Sequence, residues 1–131
     1  MPEKNFTPAE ITTIRAAVSK TFVALRKKGF IARMNFSCYM SCAVYELTQI
    51  ARPRNKPRVV YYHHQDDSSF REGYPLHIRF FYLPPEDDES DSTELEKEIG
   101  EQVASALREQ HLEIEWDGNP RYTIRIIGLK P

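Results

Sequence analysis

Glycine, cysteine and tryptophan are scarce: five, two and one in a chain of 131 residues. So little glycine leaves no glycine-rich loop from which an oxyanion hole is usually built. No apolar run approaches a membrane span, and Met1-Pro2-Glu3-Lys4-Asn5 lacks the basic-then-apolar pattern of a signal peptide. Two thiols without a signal pattern point to a reduced, cytoplasmic setting. An excess of either charge is missing too. The formal net charge of -1 argues against nucleic acid and against a membrane surface as partners. Neither an internal repeat nor a linker divides the chain. What is present, 40% hydrophobic and 28% charged residues, is the composition of a globular protein. The length fits a single α+β domain over residues 1–131, burying roughly 68% of its unfolded surface.

The elements follow from local signals. Thr7-Pro8-Ala9-Glu10 supplies an N-cap, a proline at the first helical position and a capping-box glutamate. Ile11, Ile14, Val18, Phe22 and Leu25 recur at helical spacing. Arg26, Lys27 and Lys28 suit the negative end of the helix dipole, and Gly29 can take the left-handed stop. Phe30 to Phe36 reads as a strand. Ser37 can cap a second helix ending near Ala51, with Met40, Ala43, Val44, Leu47, Ile50 and Ala51 as its apolar face. Arg58 to His64 reads as a strand and Gln65 to Gly73 as a polar turn. Tyr74 to Leu83 alternates as another strand. After the acidic connection Glu86–Asp91, Thr93-x-x-Glu96 opens a third helix. Leu112–Trp116 and Tyr122–Leu129 form a hairpin, with Ile114 opposite Ile124, Leu112 opposite Ile126 and Glu113 opposite Arg125. The order α-βαββαβ-β predicts a ferredoxin-like split βαβ sandwich: an antiparallel sheet with helices mainly on one face.

Both thiols, Cys38 and Cys42, belong to one motif at the start of the second helix. At 100° per residue from Cys38, Cys42, Tyr45 and Gln49 fall within about 40°, away from the main apolar stripe. The leading reading is packing, against the first helix or a second copy of the chain. A zinc site would recruit Cys38, Cys42 and His63, but no second Cys or His pair has the usual spacing. A thiol-dependent enzyme would use Cys38 as nucleophile, His63 or His64 as base, and Asp66 or Asp67 to orient it. His77 and His111 read as surface residues. One regular helix through both cysteines holds their Cα atoms about 6 Å apart with poorly matched Cβ directions, so no disulfide between them is expected, nor stoichiometric zinc or another cofactor. Basic residues from Arg26 to Arg33 and from Arg52 to Arg58 offer a place for a phosphate or RNA backbone. They read first as a helix terminus and a solvated loop.

The first and second strands of a βαβ unit run parallel. The end of the first therefore meets the end of the second at the start of the second helix, whose amides favour an anion. Arg33, Asn35, His64 and Gln65, with Cys38, His63 and Asp66, are the candidate ligand-binding residues at that edge.

Gly29-Phe30-Ile31-Ala32-Arg33-Met34-Asn35-Phe36-Ser37-Cys38 with Cys42, then Tyr62-His63-x-Gln65-Asp66, then Trp116-Asp117-Gly118 resemble the motifs of an uncharacterised family of small bacterial proteins. The resemblance spans about Gly29 to Gly128. In that family a Cys-Cys-x-x-Cys core follows Asn-Phe; here Tyr39 stands in place of the middle cysteine. The resemblance implies no activity, and the missing thiol removes a ligand from any three-cysteine metal or redox chemistry. The leading expectation is a small non-enzymatic interaction or regulatory module, whose partner is a protein or a small anionic ligand.

Overall fold

The computed structural model describes residues 6–88 and 90–130. Met1–Asn5, with their missing signal pattern, and Glu89 of the acidic connection lie outside them. Helix α1 (Pro8–Lys27) starts on the Thr7–Glu10 capping box with Pro8 in its first turn. It stops at Gly29, which takes φ 97°, a conformation costly for any side-chain-bearing residue.

Strand β1 (Ile31–Arg33) is less than half the expected length. Asn35 and Ser37 adopt left-handed backbone (φ 49° and 66°), which bends the chain out of the sheet. Helix α2 therefore begins later, at Met40, and runs to Ala51 with Tyr39 rather than Ser37 at its N-cap. Its buried stripe narrows to Ala43, Leu47 and Ala51, leaving Met40 and Val44 exposed. After a short turn of 3-10 helix come β2 (Arg58–Tyr61) and β3 (Leu76–Tyr82). Between them the expected polar turn is instead helix α3 (His64–Arg71). Helix α4 (Thr93–Glu109) leads to β4 (Leu112–Glu115) and β5 (Ile124–Leu129).

The fold is mixed α and β, with one five-stranded open sheet in the order β1-β2-β3-β5-β4. β1 and β2 are adjacent and parallel; every other pairing is antiparallel. That order corrects the ferredoxin-like expectation. No strand separates β1 from β2, so the βαβ unit is closed rather than split, and β5 stands between β3 and β4. The hairpin register is corrected as well. Leu112 faces Leu129, Ile114 faces Ile126 and Glu115 faces Arg125, with a bulge between Glu113 and Ile114. The longer connection is held by Asx-type bonds from Asp117 and Asn119 and by the Trp116 indole donating to Asn119 O.

Helices α1, α3 and α4 pack on one face around Phe22, Tyr62, Phe70, Ile78, Leu107 and Ile126. Among the described residues, helix α2 alone covers the other face, with Ile31, Val59 and Tyr61 beneath it. Strand β2 is thus buried on both sides.

Gly100 lets α4 approach the sheet: a Cβ there would lie 2.6 Å from the Trp116 ring and 2.8 Å from Phe80. Gly100→Ala gains about 1 kcal/mol of helix propensity but overpacks the site by roughly 1–3 kcal/mol. A net loss of stability is expected in urea unfolding. An unchanged midpoint would mean that Trp116 slides aside freely.

Candidate functional site

The ends of β1 and β2 are stitched together by the bent loop. Phe36 N donates to Tyr62 O (2.8 Å), Tyr62 N to Arg33 O (3.3 Å) and His64 N to Ser37 O (2.9 Å). This brings the start of α2 beside the start of α3. A cavity of about 530 Å³ opens there, lined by Tyr39, Met40 and Ser41 of the α2 start, by His63, Gln65, Asp66 and Ser69, and by His77 and Arg79 of β3. A larger hollow of about 680 Å³ lies at the other end of α2, among prolines and Arg52, Lys56 and Glu86. It gathers no buried titratable group.

Asp66 and Asp67, adjacent in sequence, are both buried and are held from opposite sides. Asp66 takes a two-pronged pair from Arg79, Nε to Oδ2 at 2.8 Å and Nη2 to Oδ1 at 2.9 Å. Asp67 pairs with Arg15 of α1 and with Arg71 Nε at 3.1 Å. Asp66 also closes an unusual capping box. Its Oδ2 accepts from His63 N (3.2 Å), and its own N–H donates to His63 Nδ1 (3.3 Å). His63 Nδ1 also lies 3.3 Å from Asp66 Oδ2, with which the ring pairs when it is protonated; while Nδ1 accepts from Asp66 N, the neutral ring carries its proton on Nε2.

These bonds decide what the group can do. Both oxygens of Asp66 are spent on Arg79 and the His63 amide, and His63 accepts only on its inner nitrogen. Cys38 is exposed, outside the cavity lining, with its sulfur 2.8 Å from that of Cys42. The Cys38–His63–Asp66 relay expected of a thiol enzyme is therefore not assembled. Among the described residues no three His, Cys, Asp or Glu side chains gather as metal ligands, and Cys38, Cys42 and His63 are not brought together.

Of the other candidates, Gln65 lines the cavity. His64 is exposed on the outer side of α3, and Asn35 serves as a left-handed turn residue. Arg33 lies at the sheet edge, its pKa lowered by partial burial and by the neighbouring Arg26 and Arg54. Part of the basic segments is engaged with backbone: Arg26 donates to Ala32 O, Arg54 to Ile50 O and Arg58 to Lys28 O.

His77 and Arg79 were the residues sequence reasoning missed. His77, expected at the surface, is partly buried and contacts Thr123 Oγ1 at 2.6 Å. The signal was the β3 alternation, which puts His77, Arg79 and Phe81 on the face opposite Leu76, Ile78 and Phe80.

His63 and His77 both have pKa values lowered from 6.5, chiefly by burial, with Arg79 adding repulsion and Asp66 opposing it. The unfolded chain then binds protons that the folded one refuses. Stability is full above about pH 6.5 and falls as pH drops below it, levelling once the folded histidines titrate. Protonating His63 at Nδ1 also cancels its cap to Asp66 N. A lower melting temperature at pH 5.5 than at pH 7.5 is expected, flattened in the pair His63→Asn plus His77→Gln, which keeps an acceptor at the cap. An equal slope in that variant would assign the pH dependence elsewhere.

The family described as a domain of unknown function, DUF6891, matches residues 11–130. Neither a curated protein nor a solved structure matches the chain. Among the described residues no helix is long and apolar enough to cross a membrane.

Proposed function

For a chain that belongs to the DUF6891 family, whose function is unknown, we propose the role of a cytoplasmic, non-enzymatic module that binds an anionic group in the α2–α3 cavity. One observation carries the reading: hydrogen-bond donors converge on this cavity, while the one carboxylate in its lining, Asp66, is already paired with Arg79. Tyr39 gives α2 no side-chain cap, so the first-turn amides keep their capacity for an anion, and Met40 and Ser41 line the cavity. Arg79 spends Nε and Nη2 on Asp66, while its Nη1 reaches only the Met40 sulfur, at 4.0 Å. The protonated Nε2 of His63 adds a neutral donor.

A carboxylate or phosphate suits these donors. If it belongs to a protein partner, exposed Tyr39, Met40, Val44 and Tyr45 supply apolar ground beside it; a second copy of the chain is the alternative occupant. An anion in the cavity favours protonated His63 and His77, so affinity rises as pH falls from 7.5 to 6. Titration with inorganic phosphate and with acetate, followed by amide and histidine-ring NMR, tests this. Saturable shifts at Met40, Ser41, His63 and His77 that strengthen at pH 6 are expected. Shifts confined to the Arg33–Arg54 edge, or none at all, would overturn it.

A further inference from the structure

We infer that Cys38 and Cys42 form a reversible redox pair, with Cys38 as the thiol that attacks a peroxide and Cys42 as the thiol that resolves it. The expectation of no disulfide between them rests on one regular helix through both residues. The structure removes it. Cys38 precedes α2 in the bent loop, and only Cys42 lies on the helix, in its first turn. Freed from helical spacing, the two sulfurs sit 2.8 Å apart, closer than unbonded sulfurs usually rest, so only a small movement separates them from the roughly 2.05 Å of a disulfide.

The same distance argues against a shared zinc ion. Two thiolates bound tetrahedrally at about 2.3 Å stand roughly 3.8 Å apart. It also argues against simple core packing, since Cys38 is exposed and Cys42 only half-buried.

The two thiols divide the labour. Cys38 is the exposed thiol and Cys42 the half-buried one, and their contact lowers the Cys38 pKa and raises that of Cys42. An exposed thiolate supported by a neighbouring donor is the nucleophile of such pairs. Its sulfur attacks one oxygen of hydrogen peroxide, breaking the O–O bond. Cys38 becomes a sulfenic acid, and the other oxygen leaves as hydroxide, protonated to water. Cys42, deprotonated, then attacks the Cys38 sulfur. The S–S bond forms as the S–O bond breaks, and the second oxygen leaves as water. Two thiols and one peroxide give one disulfide and two waters. A small dithiol reverses the change by exchange. Closure ties the 34–39 loop to the first turn of α2, next to Tyr39 on the cavity wall. The inference does not rest on anion binding there.

The test is intact mass and thiol titration of the full chain after stoichiometric hydrogen peroxide. Expected is a monomer that has lost two hydrogens and both titratable thiols, restored by dithiothreitol. Cys42→Ser should accumulate a sulfenic acid at Cys38 that a cyclic dione traps. Cys38→Ser should react at least about tenfold more slowly. Both variants replace side chains outside the core, and circular dichroism checks that they fold. A chain that instead gains oxygen at both sulfurs, links to a second chain, reacts first at Cys42, or keeps both thiols would overturn the inference.

Discussion

Replacing Asp66 by alanine is expected to lower stability by roughly 3–5 kcal/mol, the cost of breaking a buried ion pair from one side. At roughly 3–5 °C per kcal/mol for a chain of this length, the melting temperature should fall by more than about 10 °C. The carboxylate is 6% exposed and serves three donors at once. Without it, Arg79 keeps only the distant Met40 sulfur, His63 N loses its acceptor, and α3 loses half its capping box. The remaining half, Asp66 N to His63 Nδ1, is backbone-borne and survives. Asp66→Asn should fall between wild type and Asp66→Ala, since an amide offers one oxygen and no charge to Arg79. Asp67→Ala should also destabilise, through Arg15, but should leave the cavity histidines unmoved in NMR. A melting temperature for Asp66→Ala within about 3 °C of the parent would show that water replaces the carboxylate at little cost, and that the cavity is far wetter than its burial implies.

How legible each part was depended on how local its causes are. Helix α1 was readable from end to end because cap, proline, stripe and glycine stop all lie within one segment. Helix α3 was not. His64–Arg71 carries no apolar periodicity and buries one large apolar side chain, Phe70. Its start is signalled by a histidine in the place where serine, threonine or aspartate usually stands. Alternation is intact through Phe36, yet two left-handed residues end β1, which alternation does not encode. Sheet order depends on β5 entering between β3 and β4, a non-local choice that no hydrophobic period records. The hairpin register moved because a bulge and an Asx-rich turn absorb residues. For the site, the parallel meeting of β1 and β2 follows from chain direction alone, whereas Arg79 and His77 arrive from a third strand whose neighbours no local signal sets.

The second large effect concerns α2, which stands alone on its face of the sheet. Three fully buried side chains, Ala43, Leu47 and Ala51, hold it to Ile31, Val59 and Tyr61, and Leu47 is the only large one of the three. Leu47→Ala is expected to cost roughly 2–5 kcal/mol, the range for removing a buried leucine. Leu47→Met, which conserves volume, should cost less than about 1.5 kcal/mol. The α1–α3–α4 core on the opposite face contains no α2 residue. Most of the loss should therefore appear as local opening rather than global unfolding. Hydrogen exchange should quicken across residues 43–51 and leave α1 and α4 protected. Tyr39, Met40 and Ser41 move with this helix, and Cys42 sits on it, so both phosphate-induced shifts and the rate of disulfide closure should weaken in the same variant. Equal loss of protection in every element would instead make α2 part of one cooperative unit with the larger core. The cavity and the thiol pair would then be as rigid as the sheet that carries them.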